Sequence, residues 1–323
     1  MNFRVVFMGT PRFAVPSLEA LIGAGCTVAA VVTQPDRPAG RHQTPMPPPV
    51  KLTALSYDLP VLQPEKVRTP EFEAALRALE PDLLVTAAYG RILPVGVLAV
   101  PRLAPLNVHA SLLPLYRGSS PIQRCVMDGA VETGVTVMRM DEGMDTGDIL
   151  LQKSLHIPAD IDAEELGDRL ARLGAAALIE ALGRIASGSV VYVPQDASKA
   201  TAVRPLDRED GRIDWSWTAR RVHDTIRGTQ PWPGAYTTIE GVRIKIQRAR
   251  ILAGEPDASP LPQSAFAAAS LAPGTFLGPT ADGIAVACAD AALEILELQP
   301  DSGKRMAARD YGHNLRSGTR FGT

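Results

Sequence analysis

Two short runs of this chain hold residue types that do acid–base and carbonyl chemistry. The first is Asn107-Val108-His109-Ala110-Ser111-Leu112-Leu113-Pro114. The second, Met140 to Asp148, packs three Asp, one Glu and two Gly into nine residues. On a strand, the period of two puts Asn107 and His109 on the same face. An asparagine amide can donate a hydrogen bond to a developing oxyanion. A histidine carries a proton near neutral pH, and an aspartate can orient that imidazole and favour its charged form. No serine or cysteine sits in a nucleophile elbow. The set therefore favours direct attack of a substrate nucleophile on a carbonyl carbon, with no covalent enzyme intermediate. Plainer readings stand beside it. A histidine at a strand end often only satisfies local structure. An acidic loop is often a solvated turn, or a calcium loop. The EF-hand pattern is not met, because the twelfth residue counted from Asp141 is Gln152, where a bidentate glutamate is needed.

The elements that would hold these runs alternate along the chain. Phe3 to Phe7 and Thr27 to Thr33 read as buried strands, with a helix from Ala14 to Ala24 between them. Glu71 to Leu79 reads as a helix, Leu83 to Ala87 as a third strand and Leu106 to His109 as a fourth. Continuous apolar strands separated by helices predict an α/β domain with an open, mainly parallel sheet and right-handed crossovers. In such sheets ligands bind at the carboxyl ends of the strands, where Asn107 and His109 fall. The turn after the first strand, Gly9 to Ala14, is not GxGxxG, which argues against a dinucleotide site. Further on come a helix at Pro121 to Met127, strands at Gly134 to Met140 and Ile149 to His156, and a long helix from Asp162 to Ala186. Asp160 and Asp162 are its candidate caps.

Residues 188–206 lose helical period and contain Pro194 and Pro205, which reads as a linker between a first domain of residues 1–187 and a second of 207–323. The second has short alternating strands, among them Gly241 to Arg250 and Gly283 to Cys288, which suit a small antiparallel barrel. In Gly241 to Arg250, alternation turns Val242, Ile244 and Ile246 inward and Arg243 and Lys245 outward. Leu261 to Pro273, rich in Ala, Ser and Pro, reads as a loop.

The chain has 323 residues, 33 Lys+Arg against 35 Asp+Glu, and a net charge of -2. That balance does not advertise a nucleic-acid binder. Residues 204–250, however, hold 10 basic against 6 acidic residues, a local surplus of 4. The three cysteines, Cys26, Cys125 and Cys288, form no CxxC pair, which predicts buried thiols in a reducing compartment rather than a zinc site or disulfides. No stretch reaches the roughly 18 apolar residues of a membrane span, and no signal peptide opens the sequence. A cytoplasmic location follows as the expectation.

The run NVHASLLPLYRGSSPIQ, with ETGVTVMRMDEGMDTGDIL downstream, resembles the folate-dependent formyltransferases. The resemblance extends over roughly residues 1–312 through VFMGTPRF at Val6 to Phe13, VTQPDRPAGR at Val32 to Arg41, AYGRILP at Ala88 to Pro94, GRIDW at Gly211 to Trp215 and QPWPG at Gln230 to Gly234. It implies the formyltransferase fold, a Rossmann-like sheet followed by an OB-like barrel. It implies 10-formyltetrahydrofolate as co-substrate, no metal, and a monomer. By motif, Asn107, His109 and Asp145 match the catalytic trio. Ser111, Leu112, Leu113 and Pro114 match the tetrahydrofolate segment. Tyr89, Gly90 and Ile92, with Asp141 and Gly143, match the loops around the pterin ring. The stretch from Thr33 to Arg41 is most similar to family members that act on methionyl initiator tRNA. It implies that Arg41, with Arg37, meets the acceptor end, while Arg243 and Lys245 on the second domain are candidate contacts for the tRNA backbone. Where the family often places lysines after that arginine, this chain has His42-Gln43-Thr44, which predicts a weaker electrostatic grip. A sugar-nucleotide N-formyltransferase shares the first domain but would not be expected to keep the Thr33 to Arg41 loop. A non-catalytic tRNA-binding module would not need the intact trio.

Overall fold

The computed structural model describes residues 1–39, 44–252 and 272–322. Arg41 therefore lies outside the described residues, as does most of Leu261 to Pro273. The chain packs into two units, the first made of Met1–Pro121, Glu132–His156 and Gly167–Arg204, the second of Ile122–Val131, Ile157–Leu166 and Pro205–Thr323.

The first unit is built on seven strands: β1 (Arg4–Gly9), β2 (Thr27–Val32), β3 (Val61–Leu62), β4 (Leu83–Ala87), β5 (Ala104–His109), β6 (Glu132–Arg139) and β7 (Ile149–His156). Their order across the sheet is β7-β6-β5-β4-β1-β2-β3. The five strands from β5 to β3 run parallel, and β6 and β7 are antiparallel additions at one edge. The run of Val, Phe and Met in β1 is buried on both faces, as a central parallel strand requires. Chain order reverses beside β1, whose neighbours are β2 and β4, so the loops at the carboxyl ends part there and leave a crevice.

Helix α1 (Val15–Gly23) follows β1, and α3 (Pro70–Arg77) precedes β4. Thr69 caps α3 by accepting from the Phe72 amide at 3.2 Å. Between them lies α2 (Pro49–Ser56), with Pro49 opening its first turn. Neither α2 nor β3 is expected from the sequence, because six prolines between Val32 and Pro49 obscure any period. Helix α4 (Ala163–Ala186) begins where Asp162 accepts from the Glu165 amide at 2.8 Å, which settles the cap on Asp162. No described helix is long and apolar enough to cross a membrane.

The segment expected as a linker is tied into the first unit up to Arg204. Val193 bridges Ile149, and Ala202–Val203 pair in parallel with Arg117–Gly118.

In the second unit, α5 (Ala219–Gly228) packs against an antiparallel sheet of β8 (Ala235–Ile239), β9 (Val242–Leu252), β10 (Phe276–Pro279), β11 (Ile284–Ala287), β12 (Ala292–Pro300) and β13 (Met306–Ala307). The order is β8-β9-β12-β11-β10, with β13 on β12. Residues 319–322 reach both outer strands. The Phe276 amide donates to the Thr319 carbonyl at 2.9 Å, and the Gly322 amide donates to the Thr238 carbonyl at 2.7 Å. The two edges thus meet through this segment. The core beneath contains Trp215, Val222, Ile244, Ile246, Leu293, Ile295 and Phe321. Val242 does not join them; it is 52% exposed, because it stands at the start of β9 beside the Glu240–Gly241 turn. All three cysteines are buried free thiols, and burial pushes that of Cys288 up to about 12.

Candidate active site

Asn107 and His109 project from the carboxyl end of β5, and Asp145 comes to them from the loop between β6 and β7. The Asn107 amide nitrogen donates to Asp145 Oδ1 at 3.4 Å, and His109 Nδ1 lies 3.6 Å from Asp145 Oδ2. The Gly118 amide donates to the same Oδ2 at 2.8 Å. His109 is buried, and its Nε2 faces the Tyr116 carbonyl at 3.0 Å. Both ring nitrogens therefore look onto acceptor oxygens. Nε2 lies at hydrogen-bond distance from its oxygen, and Nδ1 stands just beyond that distance from the carboxylate.

Several unexpected side chains fix this geometry. Thr86 stands beside Asn107 in the register of β4 on β5, and its hydroxyl donates to Asn107 Oδ1 at 2.8 Å. That contact turns the amide nitrogen towards Asp145. Thr86 is the one polar residue in the buried strand LLVTA, which was the available signal. Asp145 has φ +55, an uncommon conformation for a residue with a side chain. Its carbonyl accepts from Gln195 Nε2 at 2.9 Å. Gly118, at φ +108, lies so close to the Val203 carbonyl that a Cβ would collide with it.

The remaining candidates fall into three groups. Ser111 to Pro114 continue directly from His109, and β6 and β7 hold them. Leu113 N donates to Thr136 Oγ1 at 3.1 Å, and Gln152 Nε2 donates to the Leu113 carbonyl at 2.9 Å. Leu112 is half-buried and Ser111 fully buried, the serine hydroxyl donating to the Leu115 carbonyl at 2.5 Å. The second group is exposed. Ile92 and Glu142 share the wall of a cavity of about 720 Å³ with Arg68, Glu73, Arg77 and Val95. None of Asn107, His109 and Asp145 lines it. Gly90 is exposed at φ +78, and Gly143 donates its amide to Asp141 Oδ1 at 3.0 Å. The exposed side chains of Ile92, Leu115 and Met144 lie on the loops after β4, β5 and β6.

Tyr89 forms the third group alone. Its ring is part of the first unit's core with Val6, Met8, Val32 and Leu93. Among the described residues its hydroxyl is buried without a hydrogen-bond partner, and burial pushes its pKa up. Among the described residues no group of three His, Cys, Asp or Glu is placed to hold a metal ion.

Arg37 is exposed and donates to Gln34 Oε1 at 3.1 Å. On β9 a bulge between Ile246 and Ala249 shifts the alternation, so that Arg248 and Arg250 face outward together with Lys245. Arg248 pairs with Glu297, and Arg250 with Asp282 and Glu294. Among the described residues, Arg243 and Lys245 have no carboxylate partner, and the Arg243 guanidinium lies 3.5 Å from the Tyr236 ring centroid.

Comparison with known proteins adds lineage to this geometry. The formyl transferase family profile matches residues 1–182, and the profile of the formyl transferase C-terminal domain matches residues 205–316. The methionyl-tRNA formyltransferase of Citrifermentans bemidjiense is 46% identical over 323 residues, covering 99% of this chain and 97% of the relative. That of Anaeromyxobacter dehalogenans is 49% identical over 314 residues, 97% of each. A crystal structure of an N-formyltransferase from Helicobacter canadensis, in complex with folinic acid and dTDP-3-aminofucose, superposes with a TM-score of 0.66 at 18% identity. It covers 91% of this chain and 99% of that one. HypX from Aquifex aeolicus, in complex with tetrahydrofolic acid, gives a TM-score of 0.62 at 16% identity, over 96% of this chain and 47% of that one. At these identities the two structures speak for the fold.

Proposed function

The chain belongs to the formyl transferase family, and on that premise we propose that it moves the formyl group of 10-formyltetrahydrofolate to the α-amine of methionyl initiator tRNA. The convergence of Asn107, His109 and Asp145 at the carboxyl end of β5 carries this reading. The methionyl amine attacks the formyl carbon, and the carbonyl oxygen takes up the electron pair as an oxyanion. The free N–H of Asn107 and the imidazolium of His109 stabilise that charge. Asp145 holds both groups and relays the proton lost by the amine towards the folate nitrogen. That nitrogen leaves with the bonding pair of its broken C–N bond.

The residues suit a folate. Ser111 to Pro114 form a held turn next to the trio, and Ile92, Leu115 and Met144 leave apolar surface that a flat ring can cover. We place the pterin against the Tyr89–Ile92 and Asp141–Met144 loops. The Arg68 and Arg77 guanidinium groups of the 720 Å³ cavity then meet the glutamyl carboxylates.

For the tRNA we assign Arg37 and Arg41 to the acceptor end, and Arg243 and Lys245 to the phosphate backbone. The absence of carboxylate partners supports the latter pair. The matching division of labour is a catalytic domain of residues 1–187, a tie at 188–206 and a tRNA-binding domain at 207–323, working as a monomer in the cytoplasm. The test is transfer of labelled formyl from 10-formyltetrahydrofolate to charged initiator tRNA, with a nucleotide-linked amino sugar as the competing acceptor. Label on the methionyl amine is expected. Label on the sugar alone would overturn the proposal.

A further inference from the structure

We propose that Gln195 is a positioning residue for Asp145, acting from the segment that the sequence presents as a linker; the proposal rests on the catalytic reading of Asp145. Its side-chain amide uses every hydrogen-bonding capacity it has. Nε2 donates to the Asp145 carbonyl at 2.9 Å and to the Gly147 carbonyl at 2.7 Å. Oε1 accepts from Arg117 Nε at 3.0 Å and Nη2 at 2.7 Å. This pattern fixes the amide's orientation, since the reverse would set the NH2 against a guanidinium and the oxygen against two carbonyls.

Gln195 thereby joins the two loops that define the catalytic geometry. One is the acidic loop, which must keep Asp145 at φ +55. Such a conformation persists only where the surroundings over-determine it. The other runs from Leu115 to Ser119. It supplies the Gly118 amide to Asp145 Oδ2 and the Tyr116 carbonyl to His109 Nε2. Backbone contacts and one side-chain hydroxyl from the same 188–206 segment hold this second loop. Thr201 Oγ1 accepts from the Tyr116 amide at 2.7 Å, the Thr201 carbonyl accepts from the Arg117 amide at 2.8 Å, and Ala202–Val203 pair with Arg117–Gly118. With Gln195 in place, Asp145 presents one oxygen to Asn107 and the other to His109. Without it, among the described residues only the Gly118–Asp145 hydrogen bond joins this pair of loops directly, and the carboxylate loses its aim.

Gln195→Glu and Gln195→Met divide the interaction. Glutamate keeps the pairing with Arg117 but has no donor for the two carbonyls, whereas methionine keeps only the approximate volume. Single-turnover and steady-state formyl transfer to charged initiator tRNA would be measured for both, alone and combined with Asp145→Asn. A misplacement of about 1 Å costs on the order of 10²-fold. The expected result is a kcat loss of about 10- to 100-fold, with both KM values within about twofold. Groups acting as one unit are non-additive, so in the Asp145→Asn background the same substitutions should change kcat by less than about twofold. A multiplicative loss in that background would overturn the proposal, as would unchanged kcat in the single variants or a loss confined to KM. Should Gln195→Met fail to fold, Gln195→Glu carries the test alone. Parental kcat in Asp145→Asn by itself would remove the catalytic reading, a failure distinct from that of Gln195.

Discussion

Thr86→Val is the sharpest perturbation of the proposed oxyanion site, because it removes one hydroxyl and nothing else of comparable size. Two contacts orient the Asn107 amide: the Thr86 hydroxyl at 2.8 Å on Oδ1, and the longer 3.4 Å bond from Nδ2 to Asp145. The second is beyond the usual range for a strong N–H···O bond. Loss of the first leaves the amide free to rotate and aim its oxygen at the substrate. A neutral hydrogen bond is worth about 0.5–1.5 kcal/mol net, and each 1.36 kcal/mol of barrier is tenfold in rate. The expected fall in kcat is therefore roughly 2- to 13-fold. Outright removal of an oxyanion donor, as in Asn107→Ala, should cost about 10²–10³-fold. Thr86→Ser should recover most of the loss, and Thr86→Val should add nothing to Asn107→Ala. Single-turnover transfer to charged initiator tRNA separates this step from product release. Undiminished turnover in Thr86→Val would refute the role given to the hydroxyl. A loss as deep as that of Asn107→Ala would point instead to collapse of the site.

His109→Ala and Asp145→Asn should each lower kcat by about 10²–10⁴-fold with modest effects on KM, read from steady-state kinetics. Arg68→Ala should raise KM for a polyglutamylated folate more than for one lacking its glutamate, with kcat held; equal effects on both would empty the cavity of that role. Arg243→Ala with Lys245→Ala should raise KM for tRNA and flatten its salt dependence, each lost phosphate contact changing the logarithmic slope by about 0.7–0.9. Arg227 and Asp224 form a buried pair on α5 at 2.8 Å, so Arg227→Met should destabilise the protein by about 3–5 kcal/mol in urea unfolding. Burial pushes the Asp224 carboxyl up, but the His223 imidazole 3.7 Å away, the hydrogen bond from Arg227 and the charges of Arg227 and Arg220 bring it below its usual value. The stability it contributes is present above about pH 4, the unfolded carboxylate range. It is lost as pH falls through the lowered value. A flat stability profile across that acid range would argue against this sign.

The main strands of the first sheet were legible because β1, β2, β4 and β5 are short apolar runs set off by turns. Asn107 and His109 were legible as a pair because they share one strand face, whereas Asp145 was singled out only by the motif that the chain shares with the formyltransferases. What stayed hidden depends on contacts distant in sequence. Helix α5 reads ARRVHDTIRG, whose charges suggest a solvated segment. In the fold, Asp224 and Arg227 neutralise each other in the interior, so the polar face is buried. The inward assignment of Val242 fails because alternation ignores where a strand begins. The outward placing of Arg248 alongside Lys245 depends on a bulge, which periodicity does not record. Gln195 is invisible for a related reason: a residue flanked by proline in a stretch without period looks like tether, and its partners lie 48 to 78 positions away.

The meeting of the second sheet's edges through residues 319–322 bears on how the chain is made. Thr319 and Gly322 pair with Phe276 and Thr238, so residues 43 and 84 positions apart must find each other before the sheet is complete. Synthesis proceeds at roughly 5–20 residues per second. During growth on the ribosome, β8 and β10 therefore wait with open hydrogen-bonding edges while the first unit already has all its strands. Such edges are templates for self-association. This half thus becomes safe in a crowded cell only once residues 319–322 have left the ribosome and paired. Pulse-labelled chains truncated before Thr319 and released should accumulate in sedimenting material, and released chains that extend through Gly322 should not.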